Sequence, residues 1–435
     1  MKNESVGLQN VEKILLPFAE QHAPEGTEPQ AVVDQWVHAI ATDSQFYCNS
    51  DISTPLELKK QVIKFLEEQA IYKNRDAFFD LVFSEIKLKP IRNPKFKFID
   101  LFAGIGGTRL GAQNNGGACV FTSEFDSFAQ KTYAFNYGES PFGDITKIKE
   151  DLIPDHDLLL AGFPCQPFSY SGRCEGFEDK TRGTLFFDVL RILESKKPKY
   201  ALLENVKGFK SHDKGNTMFV ALKALDEAGY NTYWTILNSY DYGVPQYRER
   251  WYCVAIRKDI DTGDFEFPNQ KDRTTKLRDI IDIDNADKSL SISDFEIERI
   301  EYHFENQHIN ERVEHDSSMY APQTKKGRHG VYSYLKNDGA IRFHVGDVAK
   351  TQIQEAFYAC LDTYSPTIIA NRVPKLWDIK RKLSVIEASR LQGFPRDFDF
   401  NVSNAQSYKQ LGNSVTVTVI ESIVDKIKKT KGFEL

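Results

Sequence analysis

The sequence predicts a doubly wound, mainly parallel α/β sheet, with a helical extension before it and an irregular, polar region set into its second half. Three observations carry that expectation. From Phe96 onward, short apolar runs (residues 98–102, 119–123, 158–160 and 200–203) alternate with helical patterns, as strands do with crossover helices. The first run passes directly into a glycine turn, Gly104-Ile105-Gly106-Gly107, and then into helical text. Before Phe96 the spacing is helical, and after Pro268 it becomes irregular and polar.

A chain of 435 residues suits a large core with appended modules. Lys and Arg number 56 against 62 Asp and Glu, a formal charge of −6, so no general positive field draws the protein to nucleic acid. Any such contact must come from a locally basic surface. The six cysteines are scattered, with no C-x-x-C pair and no histidine at ligand spacing, which argues against zinc and against a disulfide framework. No basic segment leads into an apolar leader, and no stretch approaches the roughly 20 apolar residues of a membrane span. A soluble, cytoplasmic setting is expected.

Residues 1–95 read as helical. Thr54-Pro55-Leu56-Glu57 combines a capping box with proline at the first helical position, and Val62, Phe65, Leu66 and Ala70 follow at helical spacing. With no glycine loop or chemical cluster here, the plain expectation is a helical module packed on the rest. A DNA-contacting or partner-binding arm is the alternative.

In the glycine turn after the first strand, Gly104 and Gly106 permit positive φ and close approach of a ligand to the backbone. The spacing departs from G-x-G-x-x-G, and no Lys-Ser/Thr pair follows, so a dinucleotide or a triphosphate fits less well than a smaller nucleoside ligand. Glu124 ends the next strand, where a carboxylate can accept from both ribose hydroxyls. Asp144 is placed to accept from an adenine amino group while Ile145 packs on the ring. Structural turns use the same glycines, and the loop alone decides little; with Glu124 and Asp144 it suits S-adenosylmethionine.

The run Ala161-Gly162-Phe163-Pro164-Cys165-Gln166-Pro167-Phe168-Ser169 places Cys165 on a proline-flanked loop beyond a strand, at the edge where such sheets bind ligands. An isolated cysteine is more often a small buried hydrophobe. Glu204, ending the strand 200–203, puts an acid at the same edge, which turns the reading toward covalent and proton chemistry. Gln246, Arg248 and Arg250 alternate in a strand-like run and are expected to share one face, where arginines recognise carbonyl or phosphate oxygens.

Residues 269–378 carry Lys325, Lys326, Arg328, Lys336, Arg342 and Lys350, opposed by Asp338 and Asp347. A charge run is commonly a solvated face, yet this stretch is the best candidate for a DNA-facing surface. Beyond Leu383, Ser384-Val385-Ile386-Glu387 forms another capping box, opening a helix that Gly393 and Pro395 close, and a last apolar helix spans 415–427.

From about Phe96 to the C-terminus the order of motifs resembles the DNA cytosine-5 methyltransferases of the bacterial type II restriction-modification kind. The resemblance rests on the loop from Phe102 to Gly106, Glu124, Gly143-Asp144-Ile145, Pro164-Cys165-Gln166, Arg182-Gly183-Thr184-Leu185-Phe186, Glu204-Asn205-Val206 and Gln246-x-Arg248-x-Arg250. It continues through Arg390-Leu391-Gln392-Gly393-Phe394-Pro395 and Gly412-Asn413-Ser414-Val415, with Thr367-Ile368 near the end of the variable part.

The resemblance implies a Rossmann-like S-adenosylmethionine-dependent sheet over 96–268 and a smaller, mostly irregular and β target-recognition domain over 269–378. Residues 379–435 would return the final helix to the catalytic domain. It implies Cys165 adding to C6 of a flipped-out cytosine, Glu204 acting at N3, and Arg250 at O2 with Arg248 in support. Phe102, Gly104, Gly106, Glu124, Asp144, Ile145, Pro164 and Asn413 would bind the cofactor, and Gln166, Ser169, Gln246 and Thr367 the substrate, without a metal. Double-stranded DNA is the implied partner of a monomer, alongside a restriction endonuclease paired in function without contact. A tRNA-modifying relative is disfavoured by the missing Cys-Phe-Thr signature, a dead DNA-binding homologue by Cys165, Glu204 and Arg250, and a nicotinamide oxidoreductase by the glycine spacing.

Overall fold

The computed structural model describes residues 7–164, 185–294, 297–298, 301, 313–315, 329–335, 341–347, 354–370 and 373–433, with backbone alone within 313–357. Cys165, Gln166 and Ser169, the Arg182–Thr184 part of its motif, and the basic Lys325, Lys326, Arg328, Lys336 and Lys350 lie outside these residues.

Four helices open the chain: α1 (Leu8–His22), α2 (Pro29–Thr42), α3 (Pro55–Glu68) and α4 (Arg75–Phe83). The Thr54 hydroxyl accepts from Glu57 N at the start of α3, as its sequence predicts. They are followed by β1 (Phe96–Leu101), α5 (Gly107–Gln113), β2 (Gly117–Ser123), α6 (Ser127–Tyr137), β3 (Leu158–Gly162), α7 (Leu185–Lys196), β4 (Tyr200–Val206), α8 (Asn216–Glu227), β5 (Tyr230–Asn238), β6 (Gln246–Tyr247) and β7 (Glu249–Arg257).

The central sheet runs β2-β1-β3-β4-β7-β5. Its first four strands are parallel, while β7 lies antiparallel between β4 and β5. Two consequences position the site. Strand β1 sends the chain first to β2 on one side and later to β3 on the other, opening a crevice at the carboxyl ends of the strands. The reversal of β7 brings its first residues to that same edge, with Arg250 opposite Val206 and Tyr252 opposite Glu204.

Both faces of the sheet are covered. On one, Ile99, Val120, Phe121, Leu159, Leu203 and Trp251 share a continuous apolar core with Val11, Trp36, Phe46 and Val62 of the opening segment. The helical extension is thus built into the sheet's own core. On the other, Phe98, Leu160, Leu202 and Val254 pack against Val419, Ile420, Ile423 and Ile427.

A second sheet follows, ordered β14-β13-β11-β10-β9-β8 from β8 (Val313–His315), β9 (His329–Leu335), β10 (Ile341–Asp347), β11 (Gln354–Ala359), β13 (Lys375–Leu376) and β14 (Arg381–Lys382). Its last strand lies beyond residue 378. The short β12 (Ser365–Pro366) pairs instead with β6, joining the two parts of the chain.

The C-terminal helices are α9 (Val385–Leu391), α10 (Asn404–Asn413) and α11 (Val417–Ile427). The capping box between Ser384 and Glu387 forms in both directions, and Gly393, at φ +76°, turns the chain out of α9. Helix α10, capped by Ser403, has no counterpart in the sequence expectation. No helix among the described residues is long and apolar enough to cross a membrane.

Candidate active site

At the end of β1 the chain passes through Phe102 and Gly104, both at φ +57°, and Gly106 at φ +83°. Positive φ in a bulky residue costs of order 1–2 kcal/mol and marks a position held by its surroundings. Ala103 N donates to Ser123 O at 3.0 Å, tying the turn to β2. A side chain at Gly106 would strike the Tyr137 ring, and Tyr137 OH donates to Gly106 O at 2.8 Å. Gly106 therefore shapes the turn from behind and is not among the residues lining the crevice.

The crevice is a cavity of about 930 Å³, within the size of a nucleoside-ligand site. Phe102, Gly104, Glu124, Asp144, Ile145, Pro164 and Asn413, seven of the expected cofactor residues, line it together with Glu204, Arg248 and Arg250. Each Glu124 oxygen accepts one backbone N–H, Oε2 from Gly104 and Oε1 from Asp126, both at 2.7 Å. A carboxylate can accept about four hydrogen bonds, so capacity remains beyond these two. Burial raises the Glu124 pKa, opposed by the two amides. One Asp144 oxygen accepts from Thr146 N and Oγ1, fixing the carboxyl at the rim.

Phe125 was not anticipated. It stands 78% exposed beside Glu124, a flat apolar surface on the cavity wall. Its signal in the sequence is an aromatic residue next to a strand-ending acid. Lys409 of α10 pairs with Asp126 at 2.9 Å and closes the same side.

At the other end, Glu204 Oε1 lies 3.3 Å from Arg250 Nε. The two occupy diagonal positions on one face of the β4–β7 pair. Burial raises the Glu204 pKa, with Arg250 and then Arg248 pulling it down. The carboxyl thus holds its proton above the usual range. Asn205 Nδ2 donates to Phe163 O at 3.0 Å, which ties the chain leaving β3 toward Cys165 to strand β4.

The arginines separate in role. The expected single run breaks at Arg248, because Gln246 belongs to β6 and β7 begins at Glu249. Arg248 is 2% exposed, and its guanidinium donates to Ile368 O (2.8 Å), Gly412 O (3.0 Å) and Ser414 O (2.6 Å). Burial, then Arg250, lowers its pKa to about 9. These bonds hold Asn413 at the cavity.

Gln246 is fully buried, with Nε2 donating to Leu391 O and Gln392 Oε1 and its oxygen accepting from Ile368 N. Thr367 Oγ1 donates to Tyr247 O. Neither lines the cavity; both fasten β6 to β12. Of the other cysteines, Cys48, Cys119 and Cys253 are buried and Cys360 half-buried; burial pushes every one of these thiols up, Cys48 and Cys360 to about 11.

Comparison with known proteins agrees with this geometry. The C-5 cytosine-specific DNA methylase family matches residues 96–429. Type II methyltransferase M.HhaI of Haemophilus parahaemolyticus is 38% identical over 350 residues, covering 80% of this chain and 99% of that protein. Type II methyltransferase M.SsoII of Shigella sonnei is 42% identical over 341 residues, 78% of this chain and 81% of that protein. The solved Dnmt2 methyltransferase of S. pombe superposes with a TM-score of 0.54 at 20% identity, covering 77% of this chain and 98% of that one, which speaks for the fold alone. With a sheet, a cavity and a family match that runs through every wall of it, the chain belongs to the C-5 cytosine-specific DNA methylases and is a DNA cytosine-5 methyltransferase.

Proposed function

We propose that the enzyme methylates C5 of a cytosine flipped out of a specific short double-stranded DNA sequence, through a covalent adduct between Cys165 and C6. The observation that carries this is one cavity with two ends. Glu124 and Asp144 mark a nucleoside end, the Glu204–Arg250 pair marks a base end, and Pro164 at its wall is the residue before Cys165.

Cytosine C5 is too weak a nucleophile to take a methyl group unaided, and thiolate addition at C6 gives it enamine character. Glu204, whose pKa burial raises, donates a proton to N3 as electrons move into the ring, and Arg250 stabilises charge at O2. Arg248 supports both by holding the surrounding backbone. Transfer of the methyl group to C5 leaves S-adenosylhomocysteine; loss of the C5 proton to a base then breaks the C6–S bond, and the N3 proton returns to Glu204 as 5-methylcytosine and the Cys165 thiolate are released. The target lies inside a stacked duplex, so extrusion of the base costs a few kcal/mol before chemistry begins.

S-adenosylmethionine fits the nucleoside end and supplies an electrophilic methyl group when bound there. Glu124 has lone pairs left for ribose hydroxyls, Asp144 for the adenine amino group, and Ile145 and Phe125 offer apolar faces to the ring. Asn413 closes the cavity from α10, with the Gly104 turn opposite. Residues 96–268 with 379–435 form the catalytic unit, and 269–378 choose the DNA sequence. The enzyme acts as a cytoplasmic monomer, protecting host DNA from a restriction endonuclease that it need not touch.

Expression in bacteria free of cytosine methylation, followed by mapping of 5-methylcytosine across the genome, tests the reading and yields the target sequence. The wild type is expected to modify one short motif and Cys165→Ser none. A genome without 5-methylcytosine in the wild-type strain would refute it.

A further inference from the structure

The family match begins at residue 96, yet the opening helices reach the cavity's supports. Residues 31–42 of α2 are all buried. Three of the extension's side chains touch backbone or rings directly behind the nucleoside end. Asp34 Oδ2 accepts from Ser140 N at 2.8 Å. Gln35 Nε2 donates to Val120 O of β2 at 3.1 Å and to Gln45 O, while its oxygen accepts from Tyr47 N, which fixes the loop after α2. The Tyr47 ring, 1% exposed, lies 4.6 Å from Phe142 and 5.7 Å from Phe121.

Phe142 is the strut between the two acidic groups of the cavity. Its N–H donates to Thr122 O at 2.9 Å, its carbonyl accepts from Glu124 N at 2.8 Å, and its ring stacks on Phe121 at 4.7 Å. Gly143 and Asp144 follow at once, and Ser123 Oγ donates to Gly143 O at 2.8 Å. A shift of Phe142 must therefore move Asp144 relative to Glu124. The Tyr47 ring of the extension packs against Phe142 and Phe121 together.

We propose that Asp34, Gln35 and Tyr47 are positioning residues for the cofactor end, holding the Ser140–Phe142 backbone and so the spacing of Glu124 from Asp144. The proposal rests on the reading that this cavity takes S-adenosylmethionine. Residues 1–95 are on this view a brace of the catalytic unit, with no need of a DNA contact to account for them.

The test uses the full chain, radiolabelled S-adenosylmethionine and genomic DNA from a methylation-free host. Tyr47→Ala is expected to raise the KM for S-adenosylmethionine roughly tenfold, the coupling of packed side chains that link two sites, with kcat at saturation unchanged. Tyr47→Phe, which keeps the ring, is expected to restore the wild-type KM. Tyr47→Leu removes the ring that packs on Phe142 while leaving a smaller void than alanine, is expected to raise KM likewise, and serves if the alanine variant does not fold. A folded Tyr47→Leu or Tyr47→Ala with wild-type KM, or one that loses kcat alone, overturns the positioning role. Asp144→Ala separates the two readings: a raised KM there, beside an unchanged one in the Tyr47 variants, leaves the cavity assignment standing without the brace. An unchanged KM in Asp144→Ala removes the cavity assignment, and the brace with it.

Discussion

Arg248→Met removes a guanidinium that ties three carbonyls from two separate segments. The bonds to Ile368, Gly412 and Ser414 are charge-assisted, each contributing about 1.5–3 kcal/mol in a buried setting. Against them stands the cost of burying the charge, visible in a pKa pulled down to about 9 and in a buried Nε without a partner among the described residues. The methionine variant recovers that cost but strands three carbonyls, and carbonyls tolerate this better than N–H groups do. A net loss of about 3 kcal/mol is expected, with Arg248→Lys losing about half as much, since an ammonium reaches fewer of the three. Because Gly412 and Ser414 flank Asn413, affinity for S-adenosylmethionine should fall together with stability. Denaturant unfolding and calorimetric titration of both variants measure the two effects. Full stability and unchanged affinity in Arg248→Met, with the loss confined to kcat, would refute the clamp and return Arg248 to the direct role at the base that its spacing from Arg250 suggests.

Glu204→Gln keeps a hydrogen-bond donor but no transferable proton, and is expected to slow single-turnover methyl transfer by about 10²–10³-fold. Burial raises the Glu204 pKa, so the wild-type rate should fall as pH rises through that raised value, and the glutamine variant should lack that limb of the profile. Gly412→Ala would drive a methyl group into the Ile369–Ala370 backbone at the cavity wall, costing about 2–3 kcal/mol by thermal denaturation, whereas Gly208→Ala, with open space beside it, should be neutral. Asp34 is held up to about 8, first by burial and then by Glu12, despite the bonds from Ser140 and Gln30. Its stabilising contribution is complete below the ordinary carboxyl value of about 3.9 and is lost as pH rises through about 8. Denaturant midpoints should drop across that window in the wild type and hold level in Asp34→Asn.

The features that local chemistry dictates were legible in the sequence. A strand running into glycines, an acid at a strand end and a serine three residues before a glutamate each identify themselves, and β1, Glu124 and the Ser384 cap stand where they were expected. What depends on partners distant in the chain was not. Period-2 spacing suggested that Gln246, Arg248 and Arg250 share a strand face, yet spacing carries no information about the carbonyls of Ile368, Gly412 and Ser414, which take up the Arg248 guanidinium at the break between β6 and β7. Helix α10 escaped notice because its buried face is mostly polar: Ser407 and Gln410 are buried beside Leu411, and Gln410 Oε1 accepts from Thr132. The extension's share in the sheet's core was not legible either, because helical spacing shows which residues are buried and not that Trp36 or Phe46 meets β2, nor that Gln35 Nε2 reaches Val120 O.

The polar side chains that serve as internal support have one location in common. Gln246, Thr367 and Arg248 all sit where β6 meets β12, between the central sheet and the chain that comes back from the second sheet. On the proposal that residues 269–378 select the DNA sequence, that seam must hold Asn413 and the Glu204–Arg250 pair in place whatever sequence they select. Buried hydrogen bonds suit this task, because a half-satisfied network is costly and the arrangement is therefore unique. Changes in the sheet from β8 to β11 can then alter the target while the cavity stays the same. Substitutions on that sheet should change which cytosines are methylated and leave the KM for S-adenosylmethionine untouched, and substitutions at the seam should do the reverse. Genome-wide methylation maps paired with cofactor kinetics distinguish the two, and a seam variant that switched target sequence at wild-type KM would refute the division.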